Sequence, residues 1–348
     1  MPPPDPLDYT ARTPAAPPGT SAWRSWTLWA GALMLLAVVL VLSLAVGARA
    51  LSPEQAWDGL WDPHATGYPV VHEMRLPRTL LGLLAGAALG LAGGVMQALT
   101  RNPLADPGLL GINAGASAAV VLAISLLGVT DLTGYVWFAL AGAVAASVLG
   151  WLVGGGRTAT PMRLVLAGAA INAALYSYVS AAELLDTGSL DRMRFWTVGS
   201  LAAAQPRTVL TIAPFVTAGL LLSLLLARPL DALTLGEDSA RALGSRPGLT
   251  RAGALIVVTL LCGAATAACG PLVFLGLMVP HLVRPLTGPD LRRLLPLSAI
   301  AAPAMLLGAD VLGRVLARPS EIQVGVVTAV LGGPFFLLSI RRGKAVDA

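Results

Sequence analysis

Ten apolar stretches follow one another along this chain, at residues 26–48, 76–98, 107–127, 134–154, 162–185, 208–227, 251–269, 271–286, 294–316 and 323–340. Nearly all approach the ~20 residues that a helix needs to cross a bilayer. The exception, 271–286, is short and contains Pro280. Composition closes off a soluble fold, because 56% of the 348 residues are hydrophobic and 12% are charged. That charge content is about half that of an ordinary soluble domain. Inside lipid every backbone amide must be satisfied within the span, which leaves helices for runs of this length. The expected fold class is therefore all-α, a polytopic membrane protein of about ten transmembrane helices.

Three segments are expected. Residues 1–22 hold seven prolines and few large apolar groups, and read as a disordered tail. Residues 23–342 form the transmembrane domain, and 343–348 a short polar tail. Trp23, Arg24 and Trp26 mark a membrane interface. The first run is too long for a signal-peptide core and lacks a convincing cleavage site.

Orientation follows from charge. The net charge is +5, and Lys344 is the only lysine. In a soluble protein this excess would suggest nucleic acid. Here 15 of the 23 basic residues fall on the segments that include both termini, and 8 on the alternate set. The bias puts both ends in the cytoplasm, which requires an even number of spans. Two readings stand for the outer arginines: interfacial snorkelling, or a basic rim that docks an acidic partner.

Few residues offer chemistry. Cys262 and Cys269 share one helix face about 10 Å apart, too far for a disulfide, and read as packing residues. Asp310 and Arg314 are spaced for a helical ion pair. His281 beside Pro280 reads as a structural hydrogen-bonding residue. No G-x-x-x-x-G-K-[ST] phosphate loop is present, so any ATP hydrolysis falls to another chain. A secondary carrier would want carboxylates near the midplane, whereas Glu183 and Asp310 fall near span ends. Neither paired aspartates nor H-E-x-x-H supports an intramembrane enzyme.

The connecting segments are more distinctive. Arg75-Leu76-Pro77-Arg78 opens the second span, with both arginines on one face. Gly82, Gly86 and Gly90 form a small-residue face for close packing. Asn102-Pro103 and Asp106-Pro107 force extended residues and an irregular turn before Gly111. In the largest cytoplasmic loop, Glu237 and Asp238 suit a helix N-terminus and Gly244 its end, predicting a short helix over 237–243. Alone this helix is a connector. Between two spans it could also serve as a lever for a cytoplasmic motor.

These motifs, with Pro280-His281-Leu282-Val283-Arg284 and residues 321–335, resemble the permease subunits of iron-siderophore, haem and vitamin B12 ABC importers, the FecCD family of type II importers. The resemblance covers about residues 30–342. It implies a ten-helix subunit paired with a second permease subunit, either the same chain or a paralogue. It also implies two cytoplasmic ATPase subunits, which bind ATP and magnesium, and an extracytoplasmic substrate-binding protein. No cofactor or metal is expected in this chain, and no nucleic-acid partner.

By the same resemblance, Arg75, Arg78 and Arg314 meet glutamates of the binding protein. Asn102 and Leu104 match one half of a cytoplasmic gate. Pro161 and Met162 stand in the other half, where they depart from the family's small polar residues. Gly236, Glu237, Asp238, Ala240, Leu243 and Gly244 match the segment that couples to the ATPase. Gln323 replaces a family proline. The expected location is the bacterial cytoplasmic membrane. Ferric siderophore is the expected cargo, with haem or cobalamin as alternatives.

Overall fold

The computed structural model describes residues 22–47, 52–129, 132–156, 160–185, 193 and 196–346. The tail expected at 1–22 falls almost wholly outside them, as do Arg49, Arg157 and Arg192. All ten apolar stretches are helical. In chain order the helices are α1 (Ala22–Ala45), α2 (Pro53–Trp61), α3 (Leu76–Thr100), α4 (Ile112–Leu127), α5 (Leu132–Val153) and α6 (Pro161–Leu185). Then follow α7 (Pro206–Thr234), α8 (Glu237–Ala242), α9 (Pro247–Cys269), α10 (Leu275–Thr287), α11 (Leu291–Leu316) and α12 (Val324–Val346). Among the described residues seven are long and apolar enough to cross a membrane, α4 and residues 324–339 of α12 are shorter apolar helices, and α10 has 13 residues.

The bundle is built around α3. Lipid tails are as apolar as a protein core, so small residues that permit close packing, rather than apolarity, favour the central place. Here Leu81, Ala85, Leu91, Ala92, Val95 and Met96 are fully buried. Close approach is licensed by glycine. A Cβ on Gly86 would lie 2.5 Å from Cα of Pro303, and one on Gly90 would lie 2.6 Å from the carbonyl oxygen of Ser298. The predicted small-residue face is therefore the seam along which α11 lies on α3. On the next face of α3, a Cβ on Gly93 would sit 1.7 Å from the carbonyl oxygen of Gly276 in α10. By contrast α1 is peripheral, with Met34, Leu35, Val38 and Val41 exposed.

Several boundaries differ from expectation, each for a local reason. The span drawn over 107–127 begins instead at Ile112. Before it, Asp106 caps a 3₁₀ turn (Pro107–Leu110), and Gly111 takes the left-handed conformation at φ 84°. The short stretch at 271–286 yields only the 13 residues of α10, after non-helical backbone that ends at Phe274 with φ 68°. α7 continues through Pro229 to Thr234, and α12 continues to Val346, so the polar tail expected from 343 is largely helical. α2 was not anticipated, although Ser52 and Gln55 form a capping box at its start.

Candidate functional site

The two ends of the bundle carry the residues singled out above. At one end lie the end of α1, the start of α3 and the end of α11. A π-helical turn (Val70–Arg75) runs directly into α3. The last carbonyls of a helix lack partners. In α1 they are supplied by arginines from elsewhere. Arg75 donates from Nη1 to the carbonyls of Leu44 (2.7 Å) and Ala45 (2.8 Å). Arg314 donates from Nη1 to those of Ser43 (2.9 Å) and Val46 (3.0 Å). Arg318 donates from Nη2 to that of Gly47 (3.1 Å). Positive charge at a helix C-terminus also opposes the negative end of its dipole.

Asp310 organises the same cluster. Its side chain is fully buried, and Arg78 reaches it from Nη2 at 2.7 Å and from Nε at 3.0 Å. Arg314 reaches it from Nε at 2.9 Å and from Nη2. The predicted ion pair of Asp310 and Arg314 is thus present, with Arg78 as a second cation. The other arm of Arg78 meets Glu321 at 2.6 Å, whose side chain is 29% exposed. A guanidinium has five N–H donors. Arg314 spends them on Asp310, Ser43 and Val46 and is 1% exposed. Arg75 and Arg78 are buried as well. All three arginines hold helices together, and the Arg78–Glu321 contact lies near the surface.

At the opposite end, α3 closes into the irregular turn. Arg101 takes a left-handed conformation at φ 52°. The Oδ1 of Asn102 accepts from the backbone N–H of Leu104 at 2.9 Å, and Oδ1 of Asp106 accepts from that of Gly108 at 2.8 Å. Burial pushes the Asp106 carboxyl up to about 6, partly offset by the Gly108 hydrogen bond. Gln97 donates to the carbonyl of Leu277 at 3.0 Å and accepts from Arg284 at 3.3 Å. Two motifs far apart in sequence thereby meet.

The other expected gate half lies at the start of α6, where Met162 is 69% exposed. The hydrogen bond that ties α6 to the turn forms further along, from Asn172 to the carbonyl of Gly108 at 3.1 Å. There too a Cβ on Gly168 would lie 1.9 Å from the carbonyl oxygen of Leu109. Packing thus joins α6 to the turn without using Pro161 or Met162 in that contact. His281 also departs from its expected role. Its Nδ1 is buried without a hydrogen-bond partner, and its ring sits edge-on to Phe335 at 5.5 Å.

The predicted short helix is α8. Gly236 enters it at φ 106° and Gly244 leaves it at φ 79°, both in a region that favours glycine. Glu237 pairs with Arg241 at 2.9 Å and with Arg251 of α9, and Asp238 pairs with Arg241 at 3.0 Å. Arg251 and Arg241 hold the Glu237 carboxyl below the usual carboxylate range. Ala240 faces inward, while Leu235 and Leu243 are each 67% exposed. Asp231 was not singled out from the sequence. It accepts from the backbone N–H of Leu291 at 3.1 Å and so ties the end of α7 to the start of α11.

A helical bundle with seven helices, among the described residues, long and apolar enough to cross a membrane marks a polytopic membrane protein. The FecCD transport family profile matches residues 35–342, and the chain belongs to that family. It is 46% identical to the ferric enterobactin transport system permease protein FepD of Escherichia coli (strain K12), over 90% of this chain and 94% of that protein. It is 38% identical to the hemin transport system permease protein HmuU of Yersinia pestis, over 91% of this chain and 96% of that protein. A solved inward-facing metal-chelate type ABC transporter superposes with a TM-score of 0.80 at 28% identity, covering 91% of this chain and 99% of that one.

Proposed function

We propose that this chain is the permease subunit of an ATP-driven importer that moves a ferric siderophore across the bacterial cytoplasmic membrane. The observation that carries this reading is the 46% identity to FepD along 90% of the chain. It exceeds the 38% to the haemin permease and the 37% to the ferric dicitrate permease FecD of Escherichia coli (strain K12). In this reading the α8 end and both termini face the cytoplasm, as the arginine bias favours. A second permease subunit, this chain or a paralogue, completes the pathway. Two ATPase subunits bind ATP and magnesium and seat on α8, where Leu235 and Leu243 offer exposed apolar contacts. Motion of α8 passes to α9 through the Glu237–Arg251 pair and to the turn around Asn102 and Leu104 through the bundle.

A substrate-binding protein docks at the arginine-cluster end. Arg78 is suited to receive one of its carboxylates, because its partner Glu321 stands near solvent. The test is uptake of radiolabelled iron as ferric enterobactin in cells with and without the gene. Uptake that is lost with the gene, restored by the intact gene and not restored by a deletion of 237–243 supports the reading. Unchanged iron uptake, with loss of haemin or cobalamin uptake in the same strain, would replace the cargo.

A further inference from the structure

A groove runs between α5 and α9 on the outside of the bundle. Its deeper part, about 340 Å³, is lined by apolar side chains including Val148, Ile256 and Leu260. Its mouth, about 380 Å³, opens at the α8 end and carries Arg246 and Arg251. Trp151, Ala252 and Leu255 line both parts, so the two are continuous. Each part falls within the range of small-molecule sites.

Length and polarity agree on one occupant. From Arg246 to Leu260 the helix rise spans roughly 21 Å. One leaflet of a bilayer, headgroup included, is about 20–22 Å deep. Charge is confined to the mouth, and Trp151 stands at the change from charged to apolar, where indoles collect at membrane interfaces. Arg246 and the guanidinium of Arg251 put two positive charges at the mouth, which an anionic oxygen would complement.

We propose that this groove holds one anionic phospholipid of the leaflet on the α8 side. Its phosphate accepts from the guanidinium groups of Arg246 and Arg251, and an acyl chain lies along Val148, Ile256 and Leu260. Because Arg251 also pairs with Glu237, the headgroup touches the residue that ties α8 to α9. The proposal requires only that the bundle lie in a membrane. It stands or falls apart from the cargo.

The full-length chain, purified in mild detergent, is passed into nanodiscs of phosphatidylcholine with and without phosphatidylglycerol. Retained lipid is then read by native mass spectrometry. Wild type should retain phosphatidylglycerol in preference to phosphatidylcholine. Arg246→Gln should lower that retention about fivefold, the usual effect of one basic residue on an anionic headgroup. Ile256→Trp fills the apolar part without altering charge and should also displace the lipid. Equal retention of the two lipids by wild type, or unchanged retention in both variants, would overturn the proposal. So would efficient cross-linking between two copies of Ile256→Cys, which would place a second chain in the groove.

Discussion

The two ends of the bundle use the same residue types to opposite effect. At the α1 end, Asp310 sits fully buried between Arg78 and Arg314, and three arginines complete the carbonyls of α1. At the α8 end, the carboxylate of Glu237 is 36% exposed, and Asp238 and Arg241 stand largely in water. A buried charge is costly unless fully paired, so the first cluster is fixed in one geometry. An exposed pair gains little and gives way easily, so the second can be displaced by a partner. One end is locked by its charges, and the other presents them.

The largest test of that contrast is Asp310→Ala. It leaves two buried guanidinium groups without their anion and should cost about 3–5 kcal/mol in chemical denaturation of the purified protein. Wild-type stability in that variant would break the comparison. The α8 end should be sensitive to backbone packing in place of charge. Gly168→Ala drives a methyl against the carbonyl of Leu109 and should cost about 1–3 kcal/mol by the same measurement.

Asp106→Asn should act in the other direction. Its carboxyl is raised to about 6, so the folded state favours the proton. The stability from that group is full below the ordinary carboxylate range and lost as pH rises through about 6. At pH 7 the amide should therefore stabilise on the order of 1 kcal/mol, with the gain fading in melts below pH 6. Smallest of all is Glu237→Gln. Because the carboxyl is lowered, its pairs contribute above the unfolded carboxylate range and weaken only as pH falls below about 4. At neutral pH the change should stay within about 1 kcal/mol. A much larger loss would mean that α8 is locked like the other end.

How far the sequence reached follows the same division. Periodicity and length located every spanning helix, because burial in lipid leaves helix as the one solution for those runs. The glycine face of α3 and the short helix between Gly236 and Gly244 were legible from spacing and from conformations that favour glycine. What the sequence did not show is where long side chains reach. Arg75, Arg314 and Arg318 looked like a rim because each lies at a span end. Their acceptors are backbone carbonyls of α1, which carry no sequence signature. The one available cue was negative: no basic residue occupies the last turn of α1. The Gln97–Arg284 contact was likewise hidden, although Arg284 stood in a recognised motif. Ser52 and Gln55 did announce α2, and a search for capping boxes would have found it.

The arginines at the end of α1 also impose an order in time. α1 leaves the ribosome well before α11, and Arg314 lies 271 residues beyond Ser43, whose carbonyl it completes. At about 5–20 residues per second of synthesis, that distance corresponds to about 14–54 s. Throughout that interval the carbonyls that Arg314 completes must borrow partners from water or lipid headgroups, while Arg75 can already serve those of Leu44 and Ala45. α1 is finished by α11, and a nascent chain stalled before α11 would expose an end that a quality-control protease could read as incomplete.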